Sequence, residues 1–158
     1  MLWVPTLYLA MGLPNVTVGA VAAIMYKNMG VAIEDIAIYT SQLYLPWVLK
    51  PLWSPFLEPF KTKRYWVIAM EFLMMAALGM VAFSLPIPSF FSLSLAFFWI
   101  TGFASATQDI VADGVFMTTV SLRDQARYSG LQGMCWNMGA VIASGLLVTL
   151  TGTLHNQF

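Results

Sequence analysis

Cysteine is almost absent from this chain of 158 residues: Cys135 stands alone, so no disulfide framework can hold the fold. Charge is nearly as scarce, with seven Lys/Arg against seven Asp/Glu, together 9% of the residues. Soluble domains carry about 25% charged residues because their surfaces must be solvated. There is no basic excess, which removes the electrostatic basis for binding nucleic acid. Cys135 and His155 are isolated and form no ligand spacing, so neither a metal site nor any other cofactor is expected. What fills the chain is apolar: 59% hydrophobic, 15% aromatic, eleven Met, and a mean hydropathy of +0.77. Such a composition excludes disorder and places the chain in a lipid bilayer. The expected fold class is all-α, a polytopic membrane helix bundle.

A spanning helix needs about 20 mostly apolar residues. Residues 1–26 are uncharged, 36–57 carry only Lys50, and 65–108 carry only Glu71, with a break at Pro86-Ile87-Pro88. Residues 128–158 contain no Asp, Glu, Lys or Arg. One domain over 1–158 is expected, with helices at about 3–25, 36–57, 66–85, 89–119 and 128–152. The loop after helix 2 holds Lys61, Lys63 and Arg64, and the loop after helix 4 holds Arg123 and Arg127. The opposite loops hold Lys27 beside Glu34 and Asp35, and the uncharged turn 84–89. Basic loops stay inside, so the N-terminus is expected in the cytoplasm and the C-terminus outside. No basic stretch precedes the first apolar run, which argues against a cleaved signal peptide. With no soluble module after helix 5, the chain reads as the front of a longer membrane protein or one member of a split pair.

Six charged groups fall in or at the edge of the lipid in this parse: Lys50, Glu58, Glu71, Asp109, Asp113 and Arg123. Intramembrane charge is costly and turns toward protein or a wet cavity. Asp109 and Asp113 are four apart and share a helix face. Two acids so close do not readily both ionise, which suits a proton-coupling pair. The alternative makes them structural or gating partners for Lys63, Arg64 or Arg123 at the inner rim. Lys50 either meets an anionic solute or pairs internally with Glu71 or an Asp. Tyr44, Trp47 and Trp53 bracket it, and their rings suit a sugar or simply pack. In helix 5, Gly130, Gly133, Gly139 and Gly145 favour close helix packing. Gln132 and Asn137 are its candidate cavity-facing groups, and Gln108 is the polar neighbour of Asp109.

The run Leu49-Lys50-Pro51-Leu52-Trp53-Ser54-Pro55-Phe56-Leu57-Glu58, followed by Lys61-Thr62-Lys63-Arg64-Tyr65-Trp66, resembles the "K-x-L-W-x-P-L-x-D…R-R-x-W" stretch of AmpG-type muropeptide permeases. Those are major facilitator transporters. Ser105 through Gly114, with its Gln108-Asp109-Ile110 and Asp113, resembles their helix-4 signature, and Tyr8 through Pro14 their first helix. The resemblance runs in order through all five helices. It implies a twelve-helix protein whose two halves enclose the solute, of which this chain supplies the first five helices. It also implies an inner gate in which Glu58 (for the usual Asp), Lys63 and Arg64 face the helix-4 acids Asp109 and Asp113. Lys50 matches the family's helix-2 lysine. Taken with the reading of the residues themselves, the candidates for substrate or proton coupling are Lys50, Glu71, Gln108, Asp109, Asp113, Tyr44, Trp47, Gln132 and Asn137.

The leading expectation is the N-terminal portion of a proton-coupled secondary transporter for muropeptide or a related sugar–peptide, in a bacterial inner membrane. Its partners would be lipid, a small solute, protons and the remaining helices, on the same or a separate chain; it is not expected to be an enzyme. A non-transporting fragment or assembly partner is the alternative. An intramembrane metal-dependent phosphotransferase fits less well, because no second acidic pair follows Asp109 and Asp113 to hold a divalent metal. Residues 1–158 alone are expected not to transport, since they offer one wall of a cavity.

Overall fold

The computed structural model describes residues 3–57 and 63–155. Every described element is helical. The first is α1 (Trp3–Val16), which runs through one π-helical turn (Thr17–Val21) into α2 (Ala22–Asn28). Pro14 inside α1 removes a backbone donor and crowds the preceding turn, a local cause for the wider winding that follows. Next come α3 (Ile33–Gln42), α4 (Leu45–Val48), a 3₁₀ turn (Lys50–Leu52) and α5 (Ser54–Leu57). The chain closes with α6 (Lys63–Ser84), α7 (Phe90–Thr119) and α8 (Leu122–His155).

The turn after α2 shows how sharply a helix can be stopped. Gly30 adopts φ +78°, the Gly30 N–H bonds the Lys27 carbonyl at 3.2 Å, and the Val31 N–H bonds the Tyr26 carbonyl at 3.1 Å. These two bonds are a Schellman cap, and the left-handed residue within it favours glycine. Glu34 and Asp35 then occupy the first turn of α3, where carboxylates complement the helix dipole.

The expected single helix over 36–57 is replaced by three short helices and a 3₁₀ turn. Pro46, Pro51 and Pro55 explain the difference. Proline fits only the first turn of a helix, so each one ends the preceding segment and opens the next. Pro46 and Pro51 sit in the opening turns of α4 and the 3₁₀ turn, and Pro55 follows Ser54 at the start of α5. The helix expected over 128–152 begins earlier, at Leu122. Ser121 stands before it, its Oγ accepting the Asp124 N–H at 3.3 Å and donating to the Asp124 carboxylate at 2.8 Å.

Packing is organised around α7. It lies along α6 and also touches α1, α4, the 3₁₀ turn, α5 and α8, while α1 lies along α8. Gly12 and Gly139 let α1 and α8 approach to backbone contact: a side chain at Gly139 would meet the Leu9 carbonyl, and one at Gly12 the Trp136 carbonyl. One apolar cluster joins Val4, Tyr8 and Met11 to Ala112, Phe116, Val120 and Cys135. A second, around Tyr26, Ile36, Leu43, Val81 and Phe98, closes the other end. The start of α1, the start of α6 and the α7–α8 turn therefore share one end of the bundle.

Among the described residues, Val4–Asn28, Lys63–Ser84 and Phe90–Thr119 are long and apolar enough to cross a membrane. Large apolar side chains also face outward, among them Phe72, Met75, Phe83 and Val141. In water such a surface would drive aggregation, whereas in lipid it has its natural solvent. The chain is an integral membrane protein of all-α class.

Candidate functional site

Thirty residues of α7 contain no proline, so the helix keeps a regular register from end to end. Thr101, Ser105, Asp109 and Asp113 recur every fourth residue and form a polar stripe along one face of the helix. Thr101, Ser105 and Asp109 are buried, as is Gln108 beside them. Asp109 lies ten residues before the helix end, about 15 Å in, and Asp113 about 9 Å in. Both are too deep for a side chain as short as Asp to reach water beyond the helix end.

Each polar group of this stripe reaches a different neighbour. Lys50 Nζ, on the 3₁₀ turn, donates to Asp109 Oδ2 at 2.7 Å, the only ion pair among the described residues. The Tyr8 hydroxyl on α1 donates to Asp113 Oδ1 at 2.7 Å. Gln108 Nε2 donates to Glu71 Oε1 on α6 at 3.1 Å. Polar side chains of α7 thus tie it to α1, to the proline-broken segment and to α6. In a low-dielectric setting each tether is stronger than it would be in water, and each is costly to leave half-made.

Some partners are missing. Asp109 Oδ1, Gln108 Oε1, Ser105 Oγ and Trp53 Nε1 are buried without a hydrogen bond. The Trp47 indole lies beside the Asp109 carboxylate. Buried polar atoms are nearly always satisfied, so several orphans on one stretch of one helix mark a place for a proton, a water or a ligand.

Beside the stripe is a cavity of about 640 Å³, lined among others by Lys50, Ser54, Lys63, Asp113, Gly114 and Thr118. Gly114 makes room for a lysine: a Cβ there would stand 2.8 Å from Lys63 Nζ. Arg64 points elsewhere, lining a second cavity of about 390 Å³ with Leu7, Val67, Val115 and Thr119.

The sequence-derived candidates distribute as follows. Lys50, Asp109, Asp113 and Lys63 gather at the stripe and its cavity, and Glu71 and Gln108 join from the α6 side. The pairing expected of the acids with Lys63, Arg64 or Arg123 is not the arrangement seen: Asp109 holds Lys50 and Asp113 holds Tyr8. The cause is the proline-broken segment, which brings Lys50 to Asp109 in place of a rim cation. Arg123 is exposed in the first turn of α8. Glu58 and Lys61 lie outside the described residues.

Tyr44 packs on Trp47 with ring centroids 6.0 Å apart, and its hydroxyl lies against Gly19 in the π turn, where any side chain would collide with it. Trp53 packs on Phe103 at 5.5 Å. Gln132 lies beside Tyr8. Asn137 is exposed and donates back to the Gly133 carbonyl at 2.7 Å. Among the described residues no group of three His, Cys, Asp or Glu could hold a metal ion.

Sequence reasoning had named Tyr8 and Ser105 only as ends of family-like motifs and not as site residues. Ser105 had a signal, its place four residues before Asp109 on the same face. Tyr8 had none within its own helix, because only the packing of α1 on α7 brings it to Asp113.

The model of the BT1 family matches residues 10–158. No solved structure matches the chain.

Proposed function

Since the chain belongs to the BT1 family, a transporter family within the major facilitator superfamily, we propose that it is the N-terminal portion of a proton-coupled secondary transporter for muropeptide or a related sugar–peptide. In this reading it sits in a bacterial inner membrane with its N-terminus in the cytoplasm. A second helical half, on the same or another chain, completes the solute site. Major facilitator proteins bind solute near the bilayer midplane between repeats that rock against each other.

The observation that carries the reading is the Lys50–Asp109 pair set 2.7 Å apart inside the bundle, beside an open cavity. A buried pair is weak support for stability, and a well-packed apolar pair would often do as well. An ionisable pair at membrane depth is better accounted for by a solute or proton path. Tyr8–Asp113 and Gln108–Glu71 extend the polar layer across the bundle, which suits a route for protons. Lys63 and Arg64, at the shared end of α6, α7 and α1, suit an inner gate.

The test is uptake of labelled muropeptide into cells expressing the gene in its native context, with and without an imposed proton gradient. Gradient-driven uptake abolished by Lys50→Ala supports the reading. Uptake indifferent to the gradient removes the proton, and no uptake of any sugar–peptide removes the solute class.

A further inference from the structure

We propose that the groove between α1, α6 and α7 beside Arg64 binds a phospholipid whose headgroup is net negative. Its phosphate sits on Arg64 and its acyl chain runs inward along α6. The site needs the bilayer and not the solute, so it stands apart from the transport reading above.

Lys63 and Arg64 are neighbours in sequence and part company in space. Lys63 Nζ rests over Gly114 beside the 640 Å³ cavity, whereas Arg64 lines the separate groove of about 390 Å³. Successive residues of a helix point about 100° apart, so the first turn of α6 offers a cation to each side.

The groove is graded along its depth. Arg64 lies in the first turn of α6 and Thr119 ends α7, so both stand at the rim. Val67, Ile68 and Val115 lie three or four residues further in, about 5 Å deeper, and Leu7 of α1 closes the third side. The Thr119 hydroxyl donates back to the Val115 carbonyl. Arg64, with five N–H donors, is thus the one side chain with donors to spare among the described lining residues. An aliphatic floor beneath a single cation matches a lipid, whose charged head stands above an apolar tail. Ile68 carries that floor onto the outer surface, where Phe72 and Met75 follow at helical spacing and are also exposed. A chain entering at the groove continues along this stripe.

The charge of the head follows from what the groove lacks. A zwitterionic head brings an ammonium as well as a phosphate, and no carboxylate among the described lining residues receives it. At this end of the bundle Asp113 is held by Tyr8 and Asp124 by Ser121. Arg123 and Arg127, early in α8, add positive charge at the same end. Basic pockets between helices near the headgroup level attract anionic lipid, and the planar guanidinium matches a phosphate in shape. Another helix of the protein lying here would bury Arg64 against apolar side chains unless it brought an acid, whereas a phosphate arrives with the membrane. Seated between α1 and α6, which each flank α7, the lipid ties the two together at this end.

The test uses the full protein, stripped of lipid in detergent and titrated with dioleoyl phosphatidylglycerol or dioleoyl phosphatidylethanolamine. Native mass spectrometry counts the lipid bound. One phosphatidylglycerol should bind about tenfold more tightly than phosphatidylethanolamine, the worth of one charge-assisted contact. Arg64→Gln should abolish that preference and Lys63→Gln should keep it. Phosphatidylglycerol with a photoreactive acyl chain should label α6 and α7 at Val67, Ile68, Phe72 or Val115. Equal binding of the two lipids, a preference that survives Arg64→Gln, or an equal loss in Lys63→Gln overturns the proposal. Label confined to other faces overturns it too, and is the result expected if another helix fills the groove. Should Arg64→Gln fail to fold, the wild-type preference and the position of the label decide.

Discussion

α7 and the segment from Ile33 to Leu57 begin as similar sequence and end as opposites. Both are largely apolar and both carry charge where lipid is expected. Without proline, α7 is one rod that spaces Ser105, Asp109 and Asp113 at fixed intervals along a face. Pro46, Pro51 and Pro55 break the other into pieces. Broken backbone in a membrane must face protein or a wet cavity, and here it faces α7. Short-range bonds re-satisfy it: Trp47 N–H to Tyr44 at 3.1 Å, Leu52 N–H to Leu49 at 2.9 Å, and Trp53 N–H to Lys50 at 3.3 Å. The rod fixes where the acids are, and the breaks let a lysine come to meet them.

The sharpest way to break that arrangement is to remove the acid. Asp109→Ala leaves Lys50 without its partner, and losing one side of a buried pair costs about 3 kcal/mol. Lys50→Met in the same background should recover most of that loss. Thermal or denaturant unfolding in lipid nanodiscs would show it. Strictly additive effects would mean that the 2.7 Å contact is not an energetic link between rod and broken segment.

Gly102 gives the next effect. A Cβ there would lie 3.3 Å from the Leu43 carbonyl, at the first break, and 3.4 Å from Pro46 Cγ. Alanine is tight and valine overpacks, so Gly102→Val should cost about 2 kcal/mol. The same change at Gly79 on α6, where nothing lies within 4 Å, should cost much less. Equal losses at both would show that α7 does not need the broken segment at that distance.

Tyr8→Phe removes one hydrogen bond to a carboxylate and keeps the ring that packs on Phe116 at 6.2 Å. Bonds to charged groups contribute about 1.5 kcal/mol. The loss should be of that size in unfolding measurements and should vanish when Asp113→Ala is already present, because no acceptor then remains for the hydroxyl. A loss that persists there would assign Tyr8 to packing alone.

The membrane class and the apolar rods were legible in the sequence, because hydropathy over 20-residue windows reports burial in lipid directly. Asp109 and Asp113 could be placed on one face of α7 because that helix is regular. An Asp stood among the possible partners of Lys50, but which acid the lysine would reach could not be read. Helical phase stops predicting direction at each proline, so the turn that delivers Lys50 to Asp109 was hidden inside what reads as a continuous apolar run. Tyr8 was hidden for another reason: its bond to Asp113 joins residues 105 apart, and depends on how α1 lies on α7.

The smallest expected effect tests whether proline itself does the positioning. Pro51 follows Lys50 in the 3₁₀ turn between α4 and α5. Pro51→Ala restores a backbone donor and lets α4 continue toward Ser54 before Pro55 stops it. Unfolding stability should move by less than about 1 kcal/mol, since the helical bond gained offsets the chain entropy that proline had removed. What should change is direction. An α-turn in place of a 3₁₀ turn rotates Lys50 about the segment axis and draws it off Asp109 Oδ2. In a double-mutant cycle, the coupling between Lys50 and Asp109 should then fall well below its value in the parent, even though overall stability hardly shifts. An unchanged coupling would mean that the lysine finds its acid through side-chain reach alone, and that the break in the segment serves some other purpose.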